Sequence, residues 1–291
     1  MVESTTYVPT SLAEALKLRK ETGAKPLAGG TDLMVAYRRG IGVKARFPWP
    51  VMIISQLGEL HGISVDSDGS CVIGAGTTAA EIAGSPLVPW HVRQAAGRMG
   101  AISLRNLATI GGNIGNASPK GDLPCPLILL DAQVELASVG GTRRVLLDDF
   151  IVGSKKTVLG DDEIIVRIII PAPAKPFSYI WYRKIGTRRA NAISKLSLCA
   201  AMTLDDEGKI VDFRAASGAA GPKIARSRAL ERTLIGLSLP EMRKQTSEFL
   251  DGYNGIISPH AMPEYRRVST RRMLEHFLHA VVERPADCII E

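Results

Sequence analysis

The chain has 291 residues, a hydrophobic content of 45% and a formal charge of 36 − 29 = +7. That apolar content excludes a disordered chain, which lacks the side chains to build a core, and the longest uncharged apolar runs, such as residues 51–54, fall far short of the ~20 residues needed to cross a bilayer. Residues 177–291 carry 18 basic against 13 acidic side chains, a net +5; nucleic acid is one reading of that excess, weakened by the absence of a helix-turn-helix, zinc-finger or RNA-binding signature, and an acidic partner or a phosphorylated ligand fits as well.

The N-terminus has no basic-then-apolar signal pattern, which predicts a soluble, unexported, cytoplasmic protein. Ser11 followed by Glu14 reads as a capping box ahead of a helix ending near Lys20. A short strand is expected over 25–28, then Gly29-Gly30-Thr31-Asp32 and a short helix. Residues 51–54 read as a buried strand, and 62–76 as a hairpin turning at Asp66-Ser67-Asp68-Gly69. Thr78 and Glu81 form a second capping-box pattern, and 87–99 reads as helical. Residues 100–122 are rich in Gly, Asn and Ser and read as a loop. Strands are expected at 132–138, 143–147 and 163–170. Pro171, Pro173 and Pro176 break any regular element, and the domain boundary is placed there. Beyond it come strands near 178–184, 195–204 and 209–217, then helices near 225–235, 239–251 and 263–283.

Cysteines at 71, 125, 199 and 288 have no metal-ligand spacing, which argues against a zinc or iron–sulfur site in this chain; they read as small buried hydrophobes. His276 and His279, three apart on a helix, read as surface or partner-facing residues. Phe47-Pro48-Trp49-Pro50 reads either as a partner-facing loop or as local packing.

Two glycine-rich segments carry the chemistry. Leu27-Ala28-Gly29-Gly30-Thr31-Asp32-Leu33 follows a strand and opens a helix. Paired glycines let successive N–H groups converge, as a phosphate or pyrophosphate requires, though a tight turn without a ligand fits the same residues. The second segment runs from Asn106 through Thr109-Ile110-Gly111-Gly112-Asn113 to Asp122. Its short polar side chains suit a ribose, a ribityl chain or a second phosphate face, or else a buried, Asn-capped loop.

With Arg105-Asn106-Leu107-Ala108 before the second Gly-Gly and Ala117-Ser118-Pro119 after it, these segments resemble the FAD-binding medium subunits of the molybdenum hydroxylases, the family of xanthine, carbon monoxide and nicotinate dehydrogenases. Lys184-Ile185 with Arg188-Arg189 and Ile193-Ser194, Ala215-Ala216-Ser217-Gly218-Ala219-Ala220-Gly221-Pro222 and Glu264-Tyr265-Arg266-Arg267 resemble its C-terminal domain. The resemblance implies an α+β fold: a two-lobed FAD domain of the vanillyl-alcohol-oxidase type over 1–175 (lobes about 1–55 and 56–175), then a smaller antiparallel-sheet-plus-helices domain over 176–291. It implies a flavoprotein subunit that takes electrons from a small 2Fe–2S subunit and passes them to NAD or another acceptor. A large subunit holds the molybdenum cofactor, and the whole is a dimer of heterotrimers.

Carried over by position, the resemblance assigns the pyrophosphate to Leu27, Ala28, Gly29, Gly30, Thr31, Asp32 and Leu33 on one side and to Thr109, Ile110, Gly111, Gly112 and Asn113 on the other. It gives the ribityl or ribose portion to Asp122 and places Lys184 and Ile193 beside the flavin ring. A solvated charge remains open for Lys184, and plain core for Ile193. Some relatives have His after the first Gly-Gly; Thr31 here implies non-covalent FAD. The cysteine spacing excludes the four-Cys insertion of the benzoyl-CoA-type relatives. No acid–base dyad or nucleophile stands out, as expected where the flavin carries the redox chemistry. The competing expectations are a stand-alone FAD oxidoreductase of related fold and a non-catalytic phosphate-ligand binding module.

Overall fold

The computed structural model describes residues 5–38, 40–188, 190–284 and 288–289. Arg189, beside Arg188 in the C-terminal motif, lies outside them.

The chain begins with a small parallel sheet, ordered β1-β3-β2, formed by β1 (Thr6–Tyr7), β2 (Lys25–Leu27) and β3 (Val51–Ile53). α1 (Leu12–Thr22) connects the first two strands, and α2 (Leu33–Tyr37) follows β2. Ser11 caps α1 by accepting from the Glu14 N–H, but Glu14 reaches back to the Thr10 N–H and hydroxyl, so the expected capping box is displaced by one residue. The Phe47–Trp49 stretch packs locally. Tyr37 lies 5.5 Å from the Phe47 ring and 5.1 Å from Trp49, and the Lys25 ammonium sits 3.9 Å over the Trp49 indole.

A five-stranded antiparallel sheet follows, ordered β4-β5-β10-β6-β7. The hairpin of β4 (Ile63–Val65) and β5 (Cys71–Gly74) forms where expected. Four short helices then come in succession: α3 (Ala79–Gly84), α4 (Trp90–Gly97), α5 (Ile102–Arg105) and α6 (Ile110–Gly115). Thr78 and Glu81 do form the reciprocal capping box on α3. After them comes α7 (Pro124–Leu129), then β6 (Gln133–Ser138), β7 (Gly141–Leu146), α8 (Leu147–Phe150), the small ladder of β8 (Ile151–Gly153) and β9 (Lys156–Thr157), and β10 (Ile164–Ile170). β10 is apolar at every position but Arg167 because both of its faces are covered. Ile164 and Val166 pack with Met52 and Leu60 under the small sheet, while Ile165 and Ile168 pack against α4, α6 and α7.

Residues 171–176 run exposed between β10 and β11. The last sheet is ordered β13-β12-β11-β14: β11 (Tyr179–Ile185), β12 (Leu196–Leu204) and β13 (Ile210–Gly218) are antiparallel, and β14 (Cys288–Ile289) adds a short parallel edge. α9 (Arg228–Arg232), α10 (Leu239–Gly255) and α11 (Pro263–Glu283) follow β13. One face of this sheet packs on α10 and α11 through Phe213, Phe249 and Phe277. The other face, carrying Tyr182, Cys199, Ala201 and Ala216, joins the core beneath α4 and α7. β12 is therefore buried on both sides. Its small residues permit the close approach: Cys199 stands opposite Ala216 and Ala200 opposite Ala215. Cys71, Cys125 and Cys199 are buried, as expected. No helix among the described residues is long and apolar enough to cross a membrane.

His91 ties the two larger parts together. It is fully buried on α4, and its Nε2–H donates to the Ala200 carbonyl on β12 at 3.1 Å. Burial pushes its pKa down from 6.5 to about 4. Between those values the unfolded chain binds a proton that the folded chain does not, so stability falls as pH drops from 6.5 toward 4, by up to ~1.4 kcal/mol per pH unit. Denaturant unfolding followed across this range is expected to show that slope, and His91→Gln is expected to flatten it; equal slopes in the two proteins would remove His91 as the cause.

Candidate functional site

β2 ends at Leu27, and the chain enters α2 through Ala28, Gly29, Gly30, Thr31 and Asp32. A Cβ at Gly29 would stand 1.7 Å from the Leu107 carbonyl oxygen and 3.2 Å from the Ala108 nitrogen, so glycine alone lets the first segment lie against the second. Gly30 has φ +68°, a left-handed backbone that side chains disfavour. The N–H groups of Gly29, Gly30, Thr31 and Asp32 have no acceptor among the described residues. The Asp32 side chain does not cap α2. Its carboxylate accepts instead from Asn116 Nδ2 at 2.6 Å, and Asn116 Oδ1 accepts from Lys155 Nζ at 2.5 Å.

The second segment is not one continuous loop but two short helices, α5 and α6, stitched to the strand end beneath them. Ala79 N–H donates to Ala108 O, Ile110 N–H to Thr77 O, and Gly111 N–H to Ala75 O, each at 2.8–3.0 Å. Gly111 is buried, and a Cβ there would meet Ala75 Cβ at 2.7 Å. The two glycines of this pair thus differ. Gly111 serves the close packing of backbone on backbone, while Gly112 is exposed and donates its N–H to the capping Thr109 Oγ1 at 3.1 Å. Asn113 Oδ1 is buried without a partner, a state that costs free energy unless a ligand donor meets it. Leu107, beside Gly29, is 58% exposed, an apolar surface a ring or ribose can cover.

Asp122 and Lys184 form the other half of the site. Asp122 precedes α7 and Lys184 lies on β11; Lys184 Nζ is 2.8 Å from both Asp122 oxygens and donates to the Arg98 carbonyl at 2.9 Å. The two side chains are only 11% and 6% exposed, so Lys184 is not a solvated charge. Burial pushes the Asp122 carboxyl above its usual range, and the Lys184 ammonium offsets this only in part. The Tyr182 hydroxyl is buried and unpartnered, and burial with the nearby Asp122 charge raises its pKa well above normal, so it stays protonated. A cleft of about 560 Å³ opens here, lined by Arg98, Lys184, Gly186, Thr187, Arg188 and Ala192. Ile193 follows Ala192 and is 74% exposed, which overturns the core alternative for it.

The predicted residues are therefore gathered into two sets: Leu27 to Leu33, whose Gly29 lies against Leu107 and Ala108 just before Thr109 to Asn113, and Asp122 with Lys184 beside the cleft lined by Ala192, the neighbour of Ile193. Sequence reasoning left Arg98, Lys155 and Tyr182 out of the site. Nothing local marks them: Arg98 and Tyr182 meet only once β11 is laid beside α4, and Lys155 joins the glycine segment only through Asn116 and Ala117. The glycine segments supply unpaired donors, an orphaned buried acceptor and an uncovered apolar side chain, which fit an elongated phosphorylated cofactor. Among the described residues, no cluster of His, Cys, Asp and Glu could hold a metal ion.

The comparisons agree with this geometry. Residues 2–173 match the FAD binding domain in molybdopterin dehydrogenase, and residues 181–281 match the CO dehydrogenase flavoprotein C-terminal domain. The chain belongs to the family of FAD-binding subunits of the molybdenum hydroxylases. It is 34% identical to the nicotinate dehydrogenase FAD-subunit of Eubacterium barkeri, covering 80% of each chain, and 33% identical to the xanthine dehydrogenase FAD-binding subunit of Escherichia coli O157:H7, covering 77% of this chain and 76% of that one. A solved carbon monoxide dehydrogenase from Hydrogenophaga pseudoflava, which lacks the Mo-pyranopterin moiety of its molybdenum cofactor, superposes with a TM-score of 0.85 at 26% identity, over 98% of this chain and 100% of that one. The fold is α+β, and FAD is the cofactor of the N-terminal part.

Proposed function

We propose that this chain is the flavin station of a multi-subunit molybdenum hydroxylase, in which FAD takes electrons from a small 2Fe–2S subunit and gives them to NAD or another acceptor. A separate large subunit carries the molybdenum cofactor and the substrate. The assembly is a cytoplasmic dimer of heterotrimers, and the exposed stretch 171–176 divides the FAD domain, with its lobes about 1–55 and 56–175, from the C-terminal domain. The observation that carries this reading is the apposition of the two glycine segments at Gly29 and Leu107, with unpaired N–H groups on one side and the orphaned Asn113 oxygen on the other.

The chain's own residues bind and orient. Residues 27–33 offer backbone donors to the pyrophosphate, and Thr109 to Asn113 face them across the contact. Asp122 and Lys184 present a neutralised ion pair toward the ribityl and ring portion, with Ile193 covering the ring. Thr31 provides no nitrogen for attachment, so the cofactor is held non-covalently.

The absorption spectrum of the purified chain, before and after acid precipitation, tests this. Oxidised-flavin bands that move wholly into the supernatant are the expected result. Flavin kept in the pellet would overturn non-covalent binding, and a chain that takes up no added FAD would overturn the site. Iron and molybdenum subunits are expected to co-purify from the native source.

A further inference from the structure

Two thiols outside the flavin site meet where the C-terminal sheet packs on α7. Cys125 lies on α7 and Cys199 on β12, 74 residues apart in sequence, yet their Sγ atoms are 3.5 Å apart, two sulfurs in van der Waals contact. Both are fully buried. The Cys125 S–H donates to the Ala216 carbonyl at 3.3 Å, so within the sulfur pair Cys199 is the donor. The sheet is built for this approach. Cys199 stands opposite Ala216, and two positions along β13 is Gly218, where a Cβ would lie 3.5 Å from the Cys125 Cβ. A disulfide needs the sulfurs at about 2.05 Å, a shift of roughly 1.5 Å. The pair also sits one side chain from the cleft. Tyr182 stands opposite Cys199 in the β11–β12 register, and its pKa is raised by burial and then by the nearness of Asp122, Cys199 and Cys125. Arg98, 5.6 Å from the Tyr182 ring, lines the cleft. A small oxidant entering the cleft is thus separated from the two sulfurs by Tyr182.

We propose that Cys125 and Cys199 are a modification site: a two-thiol latch that hydrogen peroxide closes into a disulfide, fastening the C-terminal part to the flavin part. Cys125 attacks one peroxide oxygen; the S–O bond forms, the O–O bond breaks and water leaves. Cys199 then attacks the sulfur of that sulfenic acid; the S–S bond forms, the S–O bond breaks and a second water leaves. The two sulfurs lose two electrons, the two peroxide oxygens gain them, and both thiol protons end in water. Burial foremost, with the bond to Cys125, holds the Cys199 thiol well above its ordinary range, so the latch closes slowly and answers sustained oxidant rather than a brief pulse. Once Cys125 is oxidised its partner is already in contact, and the second step needs no encounter. Asp122 lies just before α7, and Lys184 lies on β11 beside β12, so the closed bond clamps together the elements that carry the buried ion pair.

The test uses the full chain, with flavin absorbance recorded alongside so that the FAD reading is judged separately. Hydrogen peroxide is added until free glutathione in the same tube is fully oxidised. Remaining thiols are alkylated in denaturant, and the unreduced peptides are mapped by mass spectrometry. Peptides joined through Cys125 and Cys199 are expected in at least half of the chains, and to be absent before peroxide and after dithiothreitol. After proteolysis within 171–176, the two fragments of the oxidised chain are expected to stay joined on a denaturing gel run without reductant, and those of the reduced chain to separate. Cys125→Ala and Cys199→Ala are each expected to abolish the link, and Cys71→Ala to keep it. Should the first two variants fail to fold, the peptide map of the unsubstituted chain decides alone. Cys125 and Cys199 both recovered alkylated, either recovered as sulfinic acid in place of the link, or a link from either to Cys71 or Cys288 would overturn the proposal.

Discussion

Gly29→Val is expected to abolish flavin binding and to destabilise the chain by more than 3 kcal/mol. Its Cβ would be driven to 1.7 Å from the Leu107 oxygen, and both partners are backbone, so no side chain can rotate away. Ordinary overpacking costs about 1–3 kcal/mol when neighbours can shift. Here the relief is to part the two glycine segments, which we propose are the two sides of the cofactor cradle. Gly30→Ala makes the control. At φ +68° it carries about 1–2 kcal/mol of backbone strain but meets only side-chain atoms, Met34 Cγ at 3.2 Å and Leu27 Cδ1 at 3.5 Å, so it is expected to keep most of its flavin. The flavin-to-protein absorbance ratio and the melting temperature decide the matter; a Gly29→Val protein with normal flavin would show that the two segments do not form one site.

Arg226→Met is expected to cost about 3–5 kcal/mol, the range for breaking a buried ion network by removing one member. The Arg226 side chain is 3% exposed. It donates to the Ile128 and Leu129 carbonyls at the end of α7, to Asp131 at 2.8 Å, and through Nε to Glu231 at 2.8 Å. Asp131 has a left-handed backbone, φ 55°, and also receives Arg214 at 3.1 Å and Arg228 at 2.7 Å. Burial alone would raise the Asp131 carboxyl; Arg226 foremost, with Arg228 and Arg214, holds it below the usual range. Its share of the stability is therefore present at neutral pH and lost in acid as the carboxyl protonates. Without Arg226, Glu231 is left buried with its carboxylate facing, among the described residues, only the Ala215 N–H at 3.0 Å. Denaturant unfolding at neutral pH measures the loss, and a change below 1 kcal/mol would mean that Asp131 and Glu231 find other partners.

How far the sequence speaks depends on the range of the interaction. Helices and strands with a strong period or cap, such as α1, α10, α11 and β11 to β13, lie within a few residues of where the pattern places them. α7 is invisible to the pattern because Pro124 and Pro126 argue against a helix. Both fall in its first turn, where the N–H groups they lack would have no intrahelical acceptor. The span 100–122 reads as loop because its helices are short, four residues in α5 and six in α6, and α6 is anchored at its start by bonds to residues 75 and 77 rather than by propensity. The glycine segments are legible as candidate cradles, but not that Gly29 and Gly111 are demanded by close packing on Leu107 and Ala75. The pairing of Asp122 with Lys184 bridges 62 residues of sequence. It exists only because β11 is laid against α4 and α7, and no local signal encodes it.

The core beneath α7 also governs how the molecule comes apart. The proline-rich stretch 171–176 is exposed and offers a protease an obvious place to cut. Yet the strands after it bury Tyr182, Cys199, Ala201 and Ala216 in the same apolar mass as α4 and α7, and Arg226 fastens the far end of α7. Cleaving the tether removes a covalent link but none of that contact. The nicked chain is expected to co-elute as a single particle and to melt in one transition, its two fragments parting only as both unfold. Shared burial of this kind makes the whole chain, rather than either half, the cooperative unit of folding.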